Sequence, residues 1–308
     1  MSGPTFEVII VGGGPAGLAA ALMLGRCRRS VMLCDDGQPR NRASRAMHGF
    51  LTRDGTDPTE FRTIAREQLR PYQTVELRQA RVTDAVLQGR MFELTLDNSA
   101  KFQCRKLLLA TGLADKLPEV PNVEDFYGRS VHHCPYCDGW GWRDQPIAAY
   151  GRGDEKGGGL ALELTLWSQD LVLCTDGPSE LSVDYRQRLA HRRIEVREER
   201  IAGLEGAEGM LESIVFEDGK RLSRHALFFN TQTRQASDLA TRLACDFDEQ
   251  GGVARGQLAT TSVPGVYVAG DTSRDVLQVI VGAAEGAEAA VAINTALLKE
   301  DLAAEAVP

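Results

Sequence analysis

A chain of 308 residues with 43% hydrophobic and 25% charged residues has the balance of a globular protein with sizeable cores. At roughly 150 residues per domain it suggests two domains. Its formal net charge of −8, with no long basic run, argues against nucleic acid or an anionic membrane as partner. The longest apolar stretch, 279–298, is interrupted by Glu285, Glu288 and Asn294, so membrane-spanning, disordered and collagen-like classes are set aside.

The first residues lack a basic segment, include Glu7 and run directly into a strand pattern, so no signal peptide is expected. Seven cysteines, an odd number, argue against an extracellular disulfide framework and for a reducing cytoplasm. A disulfide formed there is more often catalytic than structural.

Phe6 to Val11 (FEVIIV) is a β-branched apolar run ending in glycines, the pattern of a buried parallel strand. Leu18 to Leu24 is rich in helix formers, and Ser30 to Cys34 reads as a second strand. This β-α-β unit predicts a parallel sheet covered by helices, an α/β fold. Further strands are expected at Lys106 to Leu109, before Ala110-Thr111-Gly112, and at Gly265 to Ala269. The pattern restarts in mid-chain: a strand from Pro146 to Tyr150, glycines at Gly151 and Gly153, a helix from Leu160 to Trp167 and a strand from Leu171 to Cys174. Two such units predict two Rossmann-like domains. Pro118 and Pro121 flank the expected crossing into the second unit, and the return is placed near Ala244. The first domain is then 1–118 with 245–308, and the inserted domain is 119–244.

Gly12-Gly13-Gly14-Pro15-Ala16-Gly17 is a G-x-G-x-x-G with a strand before it and a helix after it. Gly12 permits the tight turn, Gly14 lets main chain approach a pyrophosphate, and Gly17 allows close helix packing. Free N–H groups at the helix start attract phosphate. Asp35, at the end of the second strand, stands where an acid accepts from ribose hydroxyls. Dinucleotide binding follows. Asp271, closing the GVYVAGD strand, could accept from a polyol hydroxyl.

His132-His133-Cys134-Pro135-Tyr136-Cys137-Asp138 places two sulfurs within reach of one disulfide, with an acid beside them to carry a proton. Zinc, completed by His132 or His133, and two buried free thiols are the competing readings. Structural zinc normally needs four convergent ligands, and no second C-x-x-C exists here. The flavin-type domain tips the balance to redox chemistry. Cys34 and Cys174 are expected in the core; Trp140, Trp142 and Trp167 could shield a flavin or face a partner, but core packing is the safer assignment for each.

With GGGPAG, ATG, CPYCDG and GVYVAGD in this order, the sequence resembles the low-molecular-weight thioredoxin reductase family over nearly the whole chain. The resemblance implies an FAD domain built from both ends of the chain and an inserted domain carrying the cysteine pair, in a cytoplasmic homodimer. It implies that Gly12, Gly14, Pro15, Ala16 and Gly17 hold the FAD pyrophosphate and Asp35 the adenosine ribose. The segment with Gln38, Arg40 and Asn41 wraps the cofactor, His48 and Gly112 lie near it, and Val82 meets the adenine. Asp271 holds the ribitol, and Gln278 and Val279 reach the pyrimidine end of the flavin. Cys137 is the thiol that faces the flavin, Cys134 exchanges with the partner, and Asp138 protonates the departing thiolate. The implied partner is a thioredoxin-like protein or a small-molecule disulfide.

The second glycine motif departs from the family. It reads Gly151-Arg152-Gly153-Asp154-Glu155-Lys156, with lysine where a small residue should pack, then Gly157, Gly158 and Gly159. Asp154 and Glu155 are unfavourable beside a pyrophosphate. Thr175-Asp176-Gly177 follows the next strand with no basic pair for a 2′-phosphate, though Asp176 could suit a bare ribose. His191-Arg192-Arg193 comes too late and is expected on a solvated face. The expected donor is therefore something other than NADPH, such as a ferredoxin-like protein, and a second FAD could occupy the region of Gly151, Gly153, Lys156 and Gly158. A dithiol oxidase that passes electrons to oxygen is the alternative, and a flavin- or metal-binding module without turnover is a third.

Overall fold

The computed structural model describes residues 4–273 and 276–305. Contacts divide the chain into two units, Met1–Arg40, Gly49–Ala114 and Arg234–Pro308 in the first, Asn41–His48 and Asp115–Thr233 in the second. In the first unit β1 (Thr5–Val11) ends in four buried residues and runs through a glycine turn into α1 (Pro15–Arg26), which starts with proline at its first position. β2 (Val31–Asp35), buried throughout, lies parallel to β1. After it, α2 (Pro58–Leu69) is capped by Asp57, whose carboxylate accepts from Thr59 N–H at 2.7 Å and Glu60 N–H at 3.1 Å. β3 (Val75–Gln79), the antiparallel pair β4 (Val82–Gln88) and β5 (Met91–Leu96), and β6 (Lys101–Leu109) follow. β6 alternates buried and half-buried residues beside β5, Phe102 and Cys104 with Gln103 and Arg105, and is continuously buried at Leu107, Leu108 and Leu109, where it runs parallel to β1.

The chain crosses at β7 (Leu113–Asp115) into the second unit. A short helix α3 (Val123–Phe126) precedes β8 (Val131–His132), and α4 (Pro135–Asp138) carries the cysteine motif. β9 (Ile147–Tyr150) leads through the second glycine turn into a π-helical stretch, Asp154–Gly159, continued by α5 (Leu160–Glu163). Then come β10 (Leu171–Cys174), α6 (Val183–His191) capped by Ser182, and β11 (Glu195–Arg197). An antiparallel sheet of β12 (Ile201–Ala207), β13 (Met210–Phe216) and β14 (Arg221–Ser223) precedes β15 (Ala226–Phe229). The main sheet is parallel, in the order β11-β10-β9-β15-β8.

β16 (Thr233–Gln235) returns the chain to the first unit, followed by α7 (Leu239–Arg242), β17 (Val266–Val268) and the long α8 (Val279–Glu305). β17 lies parallel to β6, so among the described residues the sheet has seven strands, β3-β2-β1-β6-β5-β4 with β17 beside β6. In both units the strand that leads into the glycine turn lies between two strands that follow it in the chain, β2 and β6 about β1 and β10 and β15 about β9, the switch point at which open α/β sheets bind ligands.

α8 is long and apolar enough to cross a membrane by length and composition alone, but its polar groups are tied to the first unit. Glu285 accepts from Gly270 N–H, Glu288 pairs with Arg255, and Asn294 Oδ1 accepts from Arg29 Nε. Gly282 and Gly286 let it cross close to α1: a Cβ on Gly286 would lie 1.9 Å from Ala16 O. Ala289, Ile293 and Leu297 then join the core with Leu24 and Ile10. α8 is a core helix.

Candidate active site

The glycine turn of the first unit is built by contact distances. Gly12 has φ +110°, and a Cβ there would lie 2.1 Å from Ala110 O. A Cβ on Gly17 would meet Gly12 O at 1.9 Å, whereas one on Gly14 would meet nothing within 4 Å. Packing thus excludes a side chain at Gly12 and Gly17, and open space lies at Gly14, the N-cap of a helix with no acid in its first turn. That is a cradle for an anion. Pro15 and Ala16 begin the helix, and Ala16 packs against Gly270.

Beside the turn is a cleft of about 640 Å³ whose lining includes Gly12, Gln38, Val82, Thr111 and Arg234. Asp35 lies at the end of β2, and its carboxylate is engaged by both Arg62 and Arg66, four residues apart on α2. Burial pushes this carboxyl up, but the Gly37 N–H and the two guanidiniums outweigh it and hold it below the usual range. Arg62 Nε also donates to Gly13 O at 3.3 Å. These arginines were not singled out from the sequence; their i, i+4 spacing was the available signal.

Gly112, with φ +69°, donates its N–H to Thr272 Oγ1 at 2.7 Å. The fully buried Thr272 therefore joins the ATG segment to the turn after β17. Asp271 in that turn is paired with Arg40 at 3.1 Å. Gln278 Oε1 would lie 3.5 Å from a Cβ on Gly49, and Val279 begins α8. Asn41 and His48 belong to the segment grouped with the second unit.

In the second unit Cys134 and Cys137 are joined in a disulfide, with Cα atoms 5.3 Å apart. Cys134 is the N-cap of α4, Pro135 occupies the first helical position, and Cys134 Sγ accepts from Cys137 N–H at 3.1 Å. Gly139 is required here, because a Cβ would lie 2.7 Å from the Trp167 ring. Trp167 in turn meets Tyr136 edge-on at 5.8 Å. Trp140 is 70% exposed and Tyr136 71% exposed. The expectation of a core Trp140 is thus corrected: it follows Gly139 on the outer side of a tight 3₁₀ turn, under Arg143 at 4.5 Å.

The two histidines before Cys134 point to opposite sides of the main chain, as successive residues of a strand do. His133 Nδ1 lies 3.8 Å from Asp115 Oδ2, which accepts from Tyr127 Oη at 2.6 Å. His132 is buried; its Nε2 accepts from Trp142 Nε1 at 2.9 Å, and its Nδ1 stands 3.3 Å from Asp138 Oδ1.

The second glycine turn differs from its expected form. Gly157 N–H and Gly158 N–H both donate to Gly153 O, at 3.2 and 3.1 Å, closing a π turn that inserts one residue. Lys156 is exposed, and Gly157 takes the packing position: a Cβ on it would lie 2.6 Å from Gly151 O. The lysine therefore does not stand in the packing position, a correction that follows from the inserted residue. Gly158 packs on the Tyr185 ring of α6, 2.5 Å from where its Cβ would be, and Gly153 has φ +73°. Two distant cations also reach the end of β10. Arg152 donates to Thr175 O and Asp176 O, and Arg200 donates to Asp176 O at 2.9 Å. Asp176 Oδ1 accepts from Ile201 N–H at 2.8 Å. His191 ends α6 on an exposed face.

Two Rossmann-type units, an anion cradle at the first and a C-x-x-C disulfide capping a helix in the second, define a flavin-type disulfide oxidoreductase. The model of the pyridine nucleotide-disulphide oxidoreductases matches residues 6–287, and the chain belongs to that family. It is 30% identical to a protein of Arthroderma benhamiae named "Probable thioredoxin reductase", over 88% of this chain and 74% of that one. It is 29% identical to thioredoxin reductase aclD of Aspergillus oryzae, over 98% of this chain and 100% of that one. The crystal structure of HlmI superposes with a TM-score of 0.93 at 34% identity, over 98% of this chain and 95% of that one. The protein is an FAD-dependent, thioredoxin reductase-like oxidoreductase.

Proposed function

We propose that the protein exchanges electrons between FAD and a substrate disulfide or dithiol through Cys134 and Cys137, and that NADPH is not its donor. The acidic second glycine turn carries this reading. Asp154 and Glu155 open it, and Asp154 Oδ1 already accepts from Ser182 N–H at 2.8 Å. A pyrophosphate laid there meets two carboxylates, where the first turn of α1 offers none. Arg152 and Arg200 do not offset this, because they are spent on main-chain carbonyls with the Asp176 carboxylate 3.9 and 3.5 Å away.

Gly12, Gly14, Pro15, Ala16 and Gly17 would hold the FAD pyrophosphate, with Arg62 beside Gly13. When bound, FAD supplies the two-electron couple for the disulfide. In the reductive direction the Cys134 thiolate attacks a substrate disulfide, forming a mixed disulfide and releasing one substrate thiolate, which takes a proton. The Cys137 thiolate then attacks Cys134 Sγ, re-forms the Cys134–Cys137 bond and releases the second thiolate. Asp138 carries the proton given up or taken at this pair. The reverse sequence oxidises a dithiol. That direction, with oxygen as final acceptor, is the second reading, and the exposed rings of Tyr136 and Trp140 beside the disulfide favour a small apolar dithiol.

Anaerobic stopped-flow mixing tests both readings. Dithiothreitol should bleach the flavin and micromolar NADPH should not; rapid bleaching by NADPH refutes the donor assignment. Admitting air to the dithiol-reduced protein separates the directions: fast recovery of the flavin supports the oxidase. Release of one FAD per chain on denaturation, rather than two, excludes a second flavin on the turn at Gly151. Cys134→Ser should show a long-wavelength charge-transfer band from the Cys137 thiolate, and Cys137→Ser should bind FAD without electron transfer.

A further inference from the structure

We propose that His132, locked by Trp142, positions the Asp138 carboxylate for its proton work at the disulfide; the assignment rests on the redox reading of the cysteine pair. An indole N–H can only donate. Because Trp142 Nε1 donates to His132 Nε2 at 2.9 Å, that nitrogen must be the acceptor and the ring proton must sit on Nδ1. Nδ1 stands 3.3 Å from Asp138 Oδ1, the last residue of the CPYCD helix. Trp142 thus sets the sense in which His132 meets the carboxylate adjoining Cys137, with the protonated Nδ1 turned toward Asp138 Oδ1.

The surroundings keep this sense fixed. His132 is only 5% exposed, on β8 where Phe228 of β15 pairs with it, and its ring lies 5.3 Å from the Phe228 ring and 6.0 Å from that of Trp142. A flipped ring would turn a carbon toward Trp142 Nε1 and break that bond. The neighbouring His133 faces Asp115 and Tyr127. Trp142 itself is brought back by the 3₁₀ turn Gly139–Trp142 that follows Asp138 directly. The tail of the CPYCDG motif therefore supplies both the acid and the group that orders its partner. His132 is a positioning residue.

The test uses the holoenzyme and the rate at which dithiothreitol bleaches its flavin under anaerobic conditions. His132→Leu removes both polar atoms and should slow bleaching by roughly tenfold, the worth of one hydrogen bond to a charged group. His132→Gln restores an acceptor for Trp142 and a donor for Asp138 on one amide, and should stay within about threefold of wild type. In an Asp138→Asn background His132→Leu should add no further loss, because His132 acts only through Asp138. A His132→Gln protein that melts like wild type yet is as slow as His132→Leu overturns the proposal. So does a full additional loss in the Asp138→Asn background, which marks a merely structural histidine. If wild-type protein is not bleached at all, the redox reading fails and the positioning role falls with it; bleaching unaffected by either His132 variant defeats the positioning role alone.

Discussion

Gly157→Ala isolates the inserted residue of the second glycine turn. The new Cβ would lie 2.6 Å from Gly151 O and 2.9 Å from its carbonyl carbon, both main-chain atoms that cannot swing away. Overpacking of this kind costs ~1–3 kcal/mol, and alanine recovers ~0.5–1 kcal/mol of backbone entropy in a helical position. The net loss, ~0.5–2 kcal/mol, lowers the melting temperature of a unit this size by about 2–8 °C. Trp140, Trp142 and Trp167 all lie in the second unit, so tryptophan fluorescence reads its unfolding selectively. Lys156→Ala, at an exposed position, should stay within ~0.5 kcal/mol of wild type. The reverse outcome, a destabilised Lys156→Ala beside an unaffected Gly157→Ala, would refute the assignment of the packing position.

Thr272→Val removes the acceptor of the part-buried Gly112 N–H and should cost ~0.5–1.5 kcal/mol, read as flavin released at a lower temperature; an unchanged release curve counts against the Thr272 link. Burial pushes the thiols of Cys34 and Cys174 up to about 12 and raises those of Cys104 and Cys245, whereas Cys27 is exposed. Iodoacetamide at neutral pH should therefore label Cys27 alone in the oxidised protein and add Cys134 and Cys137 after mild reduction, as counted by mass spectrometry. Against the rise from burial, the Gly37 N–H, Arg62 and Arg66 hold the Asp35 carboxyl below its usual range. Its contribution is therefore present above the unfolded value of ~3.9 and is lost as pH falls through the folded one. Melting scans should show wild type losing stability below about pH 4 more steeply than Asp35→Asn; parallel curves would remove Asp35 from the acid transition.

The first glycine turn was legible because every part of it is local: strand, Gly12, Gly14, Gly17 and helix follow one another without a break. The cysteine pair was legible for the same reason, and it is a disulfide capping α4. The second turn was misread at one point. A π turn shifts the packing glycine from position 156 to 157, and no periodicity argument marks a single inserted residue. The cations near Asp176 were invisible because Arg152 and Arg200 arrive from either side in sequence. Trp140 was expected in the core on apolarity alone, but the tight turn at Gly139 turns it outward. The sequence placed the crossings near 118 and 244, and contacts divide the units at 114/115 and 233/234, within β7 and β16, strands too short to carry a periodic signal.

The split first unit sets a timetable for synthesis. β1 to β6 emerge early, but β17 and α8, which cover β6 and α1, follow only after the whole second unit. Between Ala114 and Glu305 the ribosome must add about 190 residues, ~10–40 s at usual elongation rates. During that interval Ala16, Leu24 and the β6 edge lack the partners that bury them, whereas the second unit is already contiguous and free to fold. Pulse proteolysis of stalled chains should find the cysteine-bearing unit protected first. The half-sheet that precedes it should remain cleavable, and dependent on chaperones, until α8 has left the ribosome.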